Sequence, residues 1–107
     1  MKKTVVGVLE TVVISGRKFK ARIDTGARMC SIDKRLAKKL SLGPIVRTTK
    51  IRSTHGESKR PVVRFPIKIG GRNIKASFNL ADRSKMRYRI LIGRNLLRNN
   101  FLIDISK

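Results

Sequence analysis

Ile23-Asp24-Thr25-Gly26-Ala27 is the segment on which the fold prediction depends, because it places one carboxylate at the end of an alternating strand. Over residues 18–23, basic and apolar side chains alternate strictly, which is typical of a half-buried β-strand. Asp24 continues the polar parity where the strand ends, and the glycine two residues later permits a tight turn. The pattern predicts a strand over residues 17–24 that pairs with a preceding strand and presents Asp24 at its end.

Length and composition predict one small, β-rich domain over residues 1–107. A chain of 107 residues suits a single hydrophobic core and leaves little room for a second one. Hydrophobic residues make up 40% of the chain, Trp is absent, and Phe and Tyr together are rare. The core must therefore consist mainly of Val, Ile and Leu, which favours strands over a helical bundle.

The cysteine content and the apolar runs predict a soluble, cytoplasmic protein. Cys30 is the only cysteine, so no disulfide can form within the chain, as expected in a reducing compartment. No run approaches the roughly 20 apolar residues that a membrane helix needs. Residues 1–14 also lack the cleavage site of a signal peptide. We therefore expect no membrane partner.

Alternation and turn signals predict short strands along the rest of the chain. Gly70-Gly71 is a hairpin turn of the kind that requires positive φ, and Asp33 suits a helix N-cap. Pro61 and Pro66 indicate edge positions or bulges in their strand. Seven or eight strands with one or two short helices are typical of a closed barrel or a sandwich. The predicted strands cover residues 4–14, 17–24, 29–32, 45–53, 59–69, 72–80, 88–92 and 101–105, and the helical segments cover 34–42 and 94–99.

The chemistry that Asp24 suggests is the activation of water for attack on a carbonyl group. That reaction needs a second carboxyl as the acid, and two carboxyls about 3 Å apart share one proton. Asp-Thr-Gly occurs once in the chain, and no other acid has its context, so the second carboxylate must come from another copy at a two-fold axis. Taken alone, the tripeptide is equally typical of an ordinary turn that ends a strand.

Two spaced motifs resemble those of the retropepsins, a family of aspartic proteases. The first is the Asp24 segment, and the second is Ile90-Leu91-Ile92-Gly93-Arg94-Asn95-Leu96-Leu97. In that family the first motif carries the catalytic aspartate, and the second threads a loop beside it before a short helix. The order of elements, including a flap hairpin midway, is similar along nearly the whole chain.

The chain more closely resembles retropepsin-like proteins encoded beside ATP-grasp ligases of the ribosomal-protein glutamylating type, which are often named ATP-dependent zinc proteases. The resemblance is carried by residues 53–56, 60–62, 80–86 and 91–94 and by Ile103-Asp104. It implies a mostly β, closed acid-protease barrel that acts as a homodimer. It also suggests an ATP-grasp ligase as a partner.

The resemblance further implies roles for individual residues. Asp24 would be the catalytic residue of each subunit, and Thr25 would brace the two active-site loops against each other. Gly26 would offer backbone groups to the substrate, and Ala27 would complete the loop. Support from the second motif would come from Ile92, Gly93 and Arg94, and the flap tip would be Thr54, His55, Gly56 and Glu57.

Departures from the related families change what is expected at two points. Arg28 stands where viral retropepsins commonly have an acid that pairs with the arginine of the second motif, so Arg94 is expected to pair with Asp82 or Asp104. The ligase-linked family often has a histidine where this chain has Asp33. One His and one Cys offer no cluster of zinc ligands, so we expect no metal and no cofactor.

The net charge of +21, from 27 Lys and Arg against six Asp and Glu, predicts attraction to polyanions. Basic residues around a cleft would select an acidic peptide or a glutamate-rich tail. The rival hypothesis is a non-catalytic basic module that binds nucleic acid or the ribosome through phosphate contacts. The third hypothesis is that the basic residues form a solvent-exposed surface that selects no partner. The candidate substrate-binding residues are Arg28, Arg52, Arg60, Arg83 and Arg87.

Overall fold

The computed structural model describes residues 2–53 and 56–107, and these form a mostly β structure with two short helices. Gly56 and Glu57, predicted in the flap tip, are the first residues of a strand, whereas Thr54 and His55 lie outside the described residues. The strands are β1 (Thr4–Val6), β2 (Leu9–Ile14), β3 (Arg17–Ile23), β4 (Cys30–Asp33), β5 (Ile45–Ser53), β6 (Gly56–Ile69), β7 (Arg72–Ala81), β8 (Ile90–Ile92) and β9 (Phe101–Ile103), and the helices are α1 (Lys34–Lys39) and α2 (Arg94–Leu97).

Strands β2, β3, β8, β4, β7 and β6 follow one another around a closed barrel. The barrel closes where β6 pairs with β2, with Ile69 opposite Val12 and Lys68 opposite Val13. β5 pairs with β6 outside this ring, so the two strands form a hairpin that extends from the barrel. The prediction of a mostly β closed barrel with one or two short helices is confirmed.

The first predicted strand, over residues 4–14, is divided at Gly7. The N–H of Gly7 donates to Oε2 of Glu10 at 2.8 Å, and this contact bends the chain. β1 leaves the barrel as a result and pairs in parallel with β9, placing Val5 beside Leu102. Glu10, which interrupts the apolar face of the predicted strand, is therefore the side chain that stabilises the bend.

The two prolines of β6 occupy positions that are paired on one side. Pro61 opposes Thr48 of β5, and Pro66 opposes Lys75 of β7. Because proline has no N–H, it fits a strand where one side of the ladder is open. β6 exchanges β5 for β2 along one of its sides, and Pro66 lies in the gap between these two partners. Pro61 is open on the other side, because the pairing with β7 begins at Val62. Both prolines therefore lie at locally open edges, one of the two alternatives predicted for them.

Aliphatic side chains fill the barrel, as the composition predicts. The rings of Phe65 and Phe78 stack within them, with centroids 4.5 Å apart. Asp33 caps α1 as predicted, because its Oδ2 accepts from the N–H of Leu36 at 3.3 Å. The predicted hairpin turn is also confirmed, since Gly70 and Gly71 have φ values of 56° and 76°.

Candidate active site

Asp24 directly follows β3 and is held by backbone groups on both sides. Its N–H donates to the carbonyl of Ile92 at 2.9 Å, and its carbonyl accepts from the N–H of Ala27 at 3.2 Å. Its side-chain Oδ1 accepts from the N–H of Gly26 at 2.9 Å. The residue is half-buried, and its Oδ2 makes no hydrogen bond with the described chain. The loop therefore orients one carboxylate oxygen and leaves the other open to a ligand.

The loop of residues 24–29, which we call the aspartate loop, is bound to the start of α2. The N–H of Arg94 donates to the carbonyl of Ala27 at 2.9 Å. The Arg94 guanidinium reaches further back and donates through Nη1 to the carbonyl of Thr25 at 2.9 Å. Ile92, the last residue of β8, lies opposite Ile23 at the end of β3. The two sequence motifs are thus brought together, as the resemblance implies.

Asn95 joins three elements at this point, a role that the sequence pattern did not single out. Its Oδ1 accepts from the N–H of Cys30 at 2.8 Å, and its Nδ2 donates to the carbonyl of Ser77 at 2.9 Å. Its backbone N–H donates to the carbonyl of Arg28 at 3.1 Å. The only signal in the sequence was the position of Asn95 within the second motif.

Gly93 leaves no space for a side chain. A Cβ at this position would lie 2.5 Å from the carbonyl carbon of Met29 and 2.6 Å from its oxygen. The φ of Gly93 is −101°, which any residue can adopt, so the requirement is close approach and not backbone conformation. A glycine is needed here because the second motif crosses directly over the aspartate loop.

Cys30 is a buried thiol beneath the same crossing. Its Sγ accepts from the N–H of Gly93 at 3.3 Å. Burial raises the pKa of the thiol to about 12, and the hydrogen bond from Gly93 only partly opposes that rise. The side chain is therefore a neutral packing group at physiological pH.

A cleft of about 780 Å³ lies between the aspartate loop and the β5–β6 hairpin. Glu57 is the acid in its lining, and its Oε1 is already paired with Nε of Arg52 at 3.0 Å. The cleft walls otherwise carry an excess of positive charge next to Gly26 and Ala27. The cationic lining residues are Arg28, Lys50, Arg52, Arg60 and Arg83.

The structure brings most of the predicted substrate-binding arginines to this cleft, but it does not bring Arg87. The alternation of basic residues over 83–89 would place them on one side of an extended segment, whereas residues 84–87 form turns and bends. The guanidinium of Arg87 lies 5.9 Å from the centroid of the Tyr88 ring. Arg28, Arg52, Arg60 and Arg83 line the cleft, and Arg87 does not.

The prediction that Arg94 pairs with Asp82 or Asp104 is wrong. Asp82 accepts hydrogen bonds from the hydroxyl and N–H of Ser84, and Asp104 accepts the same pair from Ser106. These bonds hold the pKa of each carboxyl below its usual value. Arg94 binds the carbonyl of Thr25 because the two loops pass close enough for a direct contact.

Thr25 is exposed, and its hydroxyl makes no hydrogen bond within the part of the chain that the structure describes.

Residues 2–53 and 56–107 contain no group of three or more His, Cys, Asp or Glu placed to hold a metal ion. Across the same ranges, no helix is long and apolar enough to cross a membrane.

Residues 33–107 match a protein-family model, RimB-like, which describes the retropepsin-like aspartic endopeptidase RimB. The matched residues include the second motif and begin after the aspartate loop. A curated relative from Shewanella pealeana, named Probable alpha-L-glutamate ligase, is 34% identical over 114 residues, which cover 83% of this chain and 25% of that protein. The chain thus spans about a quarter of the length of this relative.

Solved structures show the same fold. The EIAV protease complexed with the inhibitor HBY-793 superposes with a TM-score of 0.71, at 24% identity over 85% of each chain. A protein of unknown function (DUF785) from Legionella pneumophila superposes with a TM-score of 0.70, at 21% identity over 99% of this chain and 96% of that one. The barrel is therefore retropepsin-like.

Proposed function

Because this chain belongs to the RimB-like family of retropepsin-like aspartic endopeptidases, we propose that it hydrolyses peptide bonds as a homodimer in which each subunit contributes Asp24. The observation that carries the proposal is the position of this carboxylate. It is oriented by the N–H of Gly26 and lies in a loop that borders a large cleft. The family match begins after Asp24, so the assignment of this residue rests on the geometry and on the motif.

The chemistry of such a pair follows from its shared proton. The ionised carboxylate accepts a proton from water, and the water oxygen attacks the carbonyl carbon of the peptide bond. The protonated carboxyl donates its proton to the carbonyl oxygen, which gives a tetrahedral diol. Breakdown of the diol breaks the C–N bond, and the leaving nitrogen takes up a proton. A single carboxylate cannot supply both the acid and the base at once.

Two features of the single chain support a shared site. Asp-Thr-Gly occurs once in the sequence, and the acid in the cleft lining, Glu57, is already bound to Arg52. The hydroxyl of Thr25 is exposed and has no partner among the described residues, which suits a contact with the same loop of a second subunit. We propose that two aspartate loops meet at a two-fold axis, with Thr25 bracing one against the other.

The charge of the cleft favours an acidic substrate. The cations that line it outnumber Glu57, and the pairing of Glu57 with Arg52 leaves the others unneutralised by the lining. An extended acidic peptide would be drawn in by this field. The Shewanella pealeana relative is named as an α-L-glutamate ligase, an enzyme that would join glutamate to its substrate. The product of such a ligase would be a peptide of the acidic kind that this cleft favours. We propose that the substrate is a glutamate-rich tail and that an ATP-grasp ligase is a functional partner.

Substitution of Asp24 by Asn tests the proposal. Asp24→Asn keeps the acceptor for the N–H of Gly26 but removes the proton acceptor, so cleavage of a glutamate-rich peptide should fall by at least about 100-fold. Asp104→Asn is a matched control, because Asp104 follows β9, outside the aspartate loop, and its carboxylate is bound to Ser106. Mass spectrometry of the products measures cleavage, and circular dichroism checks the fold. Equal activity in wild type and Asp24→Asn would reassign the catalytic group.

The rival hypothesis is a non-catalytic basic module that binds nucleic acid or the ribosome. It is favoured by the +21 charge, but base stacking needs exposed aromatic rings. Phe101 is buried, and Tyr88, which is half-buried, carries the guanidinium of Arg87 over its ring. On this hypothesis Asp24→Asn leaves the affinity for RNA unchanged, and that affinity falls steeply with salt.

A further inference from the structure

The buried polar side chains of the described chain all lie on two neighbouring strands of the barrel. They are Ser31 and Asp33 on β4 and Asn79 on β7, exposed by 5%, 1% and 2% respectively. The strands run parallel, and Ser31 lies opposite Asn79. These polar residues alternate along the two strands with the core residues Cys30, Ile32 and Phe78, so they lie on the face away from the barrel interior. A buried polar group costs free energy unless it is hydrogen-bonded. Their hydrogen-bond partners therefore indicate why they are there.

Asn79 positions Arg60 from the buried floor of the cleft. Its Oδ1 accepts from the hydroxyl of Ser31 at 2.8 Å and from Nη1 of Arg60 at 3.2 Å. Both partners are donors, which fixes which end of the Asn79 amide faces them. Its Nδ2 donates to no described residue, and the side chain lines the cleft. Ser31 and Asn79 thus hold one guanidinium in the wall of the cleft.

Asp33 positions Arg83, a second arginine of the cleft lining. Its Oδ1 accepts a hydrogen bond from the backbone N–H of Arg83 at 2.8 Å, while its Oδ2 caps α1. The Arg83 side chain is then fixed at a second point, where Nε donates to the carbonyl of Tyr88 at 3.1 Å. This arrangement leaves the two terminal nitrogens, Nη1 and Nη2, without a bond to the described chain. Those two nitrogens form the end of the guanidinium that binds a carboxylate in a bidentate manner.

Arg60 and Asp24 both lie close enough to Arg83 to act on its guanidinium. Burial and the like charge of Arg60 lower the pKa of Arg83, whereas the carboxylate of Asp24 acts in the opposite direction. The guanidinium remains charged at neutral pH in spite of this shift. Two fixed cations without a bound carboxylate repel each other, and an incoming anion removes that repulsion.

We propose that Arg60 and Arg83 form a built subsite that binds one side-chain carboxylate of an acidic peptide next to the scissile bond, with Ser31, Asn79 and Asp33 as positioning residues. The inference rests on the proposed function, because it assigns a substrate side chain to the same cleft. It separates these two arginines from Arg28, whose exposed guanidinium has no bond to the described chain. Preorganised donors lose little entropy on binding, so this subsite selects one position of the peptide.

A set of peptides with each Glu replaced in turn by Gln tests the subsite. Wild type should cleave the all-Glu peptide with a kcat/KM about 10- to 100-fold above that of the peptide altered at the selected position. Arg60→Gln and Arg83→Gln should bring this ratio close to one at that position and leave the ratios at other positions unchanged. Arg64→Gln is the matched control, because Arg64 is an exposed arginine of β6 outside the cleft lining.

The positioning role has its own readout. Asn79→Leu keeps the approximate volume and removes the acceptor for Arg60, so it should reduce the Glu-to-Gln ratio at the same position as Arg60→Gln does. A merely structural role would lower the midpoint of urea unfolding and leave the ratio intact. The position that responds must be the same in both variants for the proposal to hold.

Binding measurements separate this proposal from the proposed function. Fluorescence anisotropy with labelled peptides in the Asp24→Asn background reports the Glu-to-Gln ratio of Kd without cleavage. Position-specific loss in Arg60→Gln supports the subsite even if wild type cleaves nothing, which would refute the catalytic proposal alone. If cleavage occurs but Arg60→Gln and Arg83→Gln weaken all peptides equally, as a general loss of charge does, the subsite is refuted. Absence of binding to every acidic peptide refutes it as well.

Discussion

At the residue scale, the informative positions are those where a polar or ionisable side chain is buried. β4 alternates apolar and polar residues, but all four are buried, so its polar face contacts other elements and not solvent. The sequence accordingly predicted a short strand there and assigned no role to Ser31. Its contact with Asn79 joins residues 48 positions apart, and only the pairing of β4 with β7 reveals it.

Cys30 supplies a test of residue-scale electrostatics. The folded chain retains the thiol proton up to a pKa of about 12, whereas the unfolded chain loses it near the ordinary value of 9.0. Between these values the unfolded state binds fewer protons, so the free energy of unfolding falls by about 1.4 kcal/mol per pH unit through this group. The contribution is fully present below the unfolded pKa.

Cys30→Ala should remove this pH dependence. Urea unfolding of wild type and variant from about pH 8 to about pH 10.5 should give curves that differ in slope, with wild type losing stability faster above pH 9.0. Other groups that titrate in this range are common to both proteins and cancel in the difference. Parallel curves would mean that the thiol is not shielded from solvent.

At the scale of elements, alternation of apolar and polar residues predicted a strand correctly where one face of the strand is exposed to solvent. It failed where consecutive residues of the chain pair with different strands. The alternation before Asp24 and the glycines of the β6–β7 hairpin predicted β3 and that turn correctly. The division between β1 and β2 was not predicted, because the apolar pattern continues across Gly7. The bend depends on a hydrogen bond between Gly7 and Glu10 and on the strand β9, which is distant in sequence.

The crossing of the second motif over the aspartate loop should be the least tolerant contact between elements. In Gly93→Ala the new Cβ would lie 2.5 Å from the carbonyl carbon of Met29, so one of the two backbones must move. We expect a loss of about 3 kcal/mol in the free energy of unfolding by urea, together with loss of activity.

Gly43→Ala is the control for that substitution. A Cβ at Gly43 would have no neighbour closer than 4.0 Å, so the same change of residue should cost far less. Comparable losses in the two variants would show that the cost is not specific to the crossing of the loops, since the effect of Gly→Ala on the entropy of the unfolded chain is stabilising.

At the scale of the whole molecule, charge opposes the proposed assembly. Two chains of +21 repel each other, so the homodimer should become tighter as salt screens the repulsion. Sedimentation velocity from about 0.05 to about 0.5 M NaCl should show a rising dimer fraction. Binding of RNA or of an acidic peptide should weaken over the same range. A strict monomer at every salt concentration would exclude a dyad shared between subunits.

The sequence by itself determined a strand-rich fold and an excess of positive charge, because both depend on residue type and local period. The closed barrel and the pairing of the Asp24 and Gly93 motifs were implied by the resemblance to the retropepsins. Tertiary structure decided which charges act together. The closure of β2 onto β6 and the pairing of β4 with β7 place Arg60 and Arg83 in one cleft, direct Arg94 to the carbonyl of Thr25 and leave Arg87 outside. These contacts join residues far apart in sequence, so they follow from strand register and loop crossing, which no local pattern encodes.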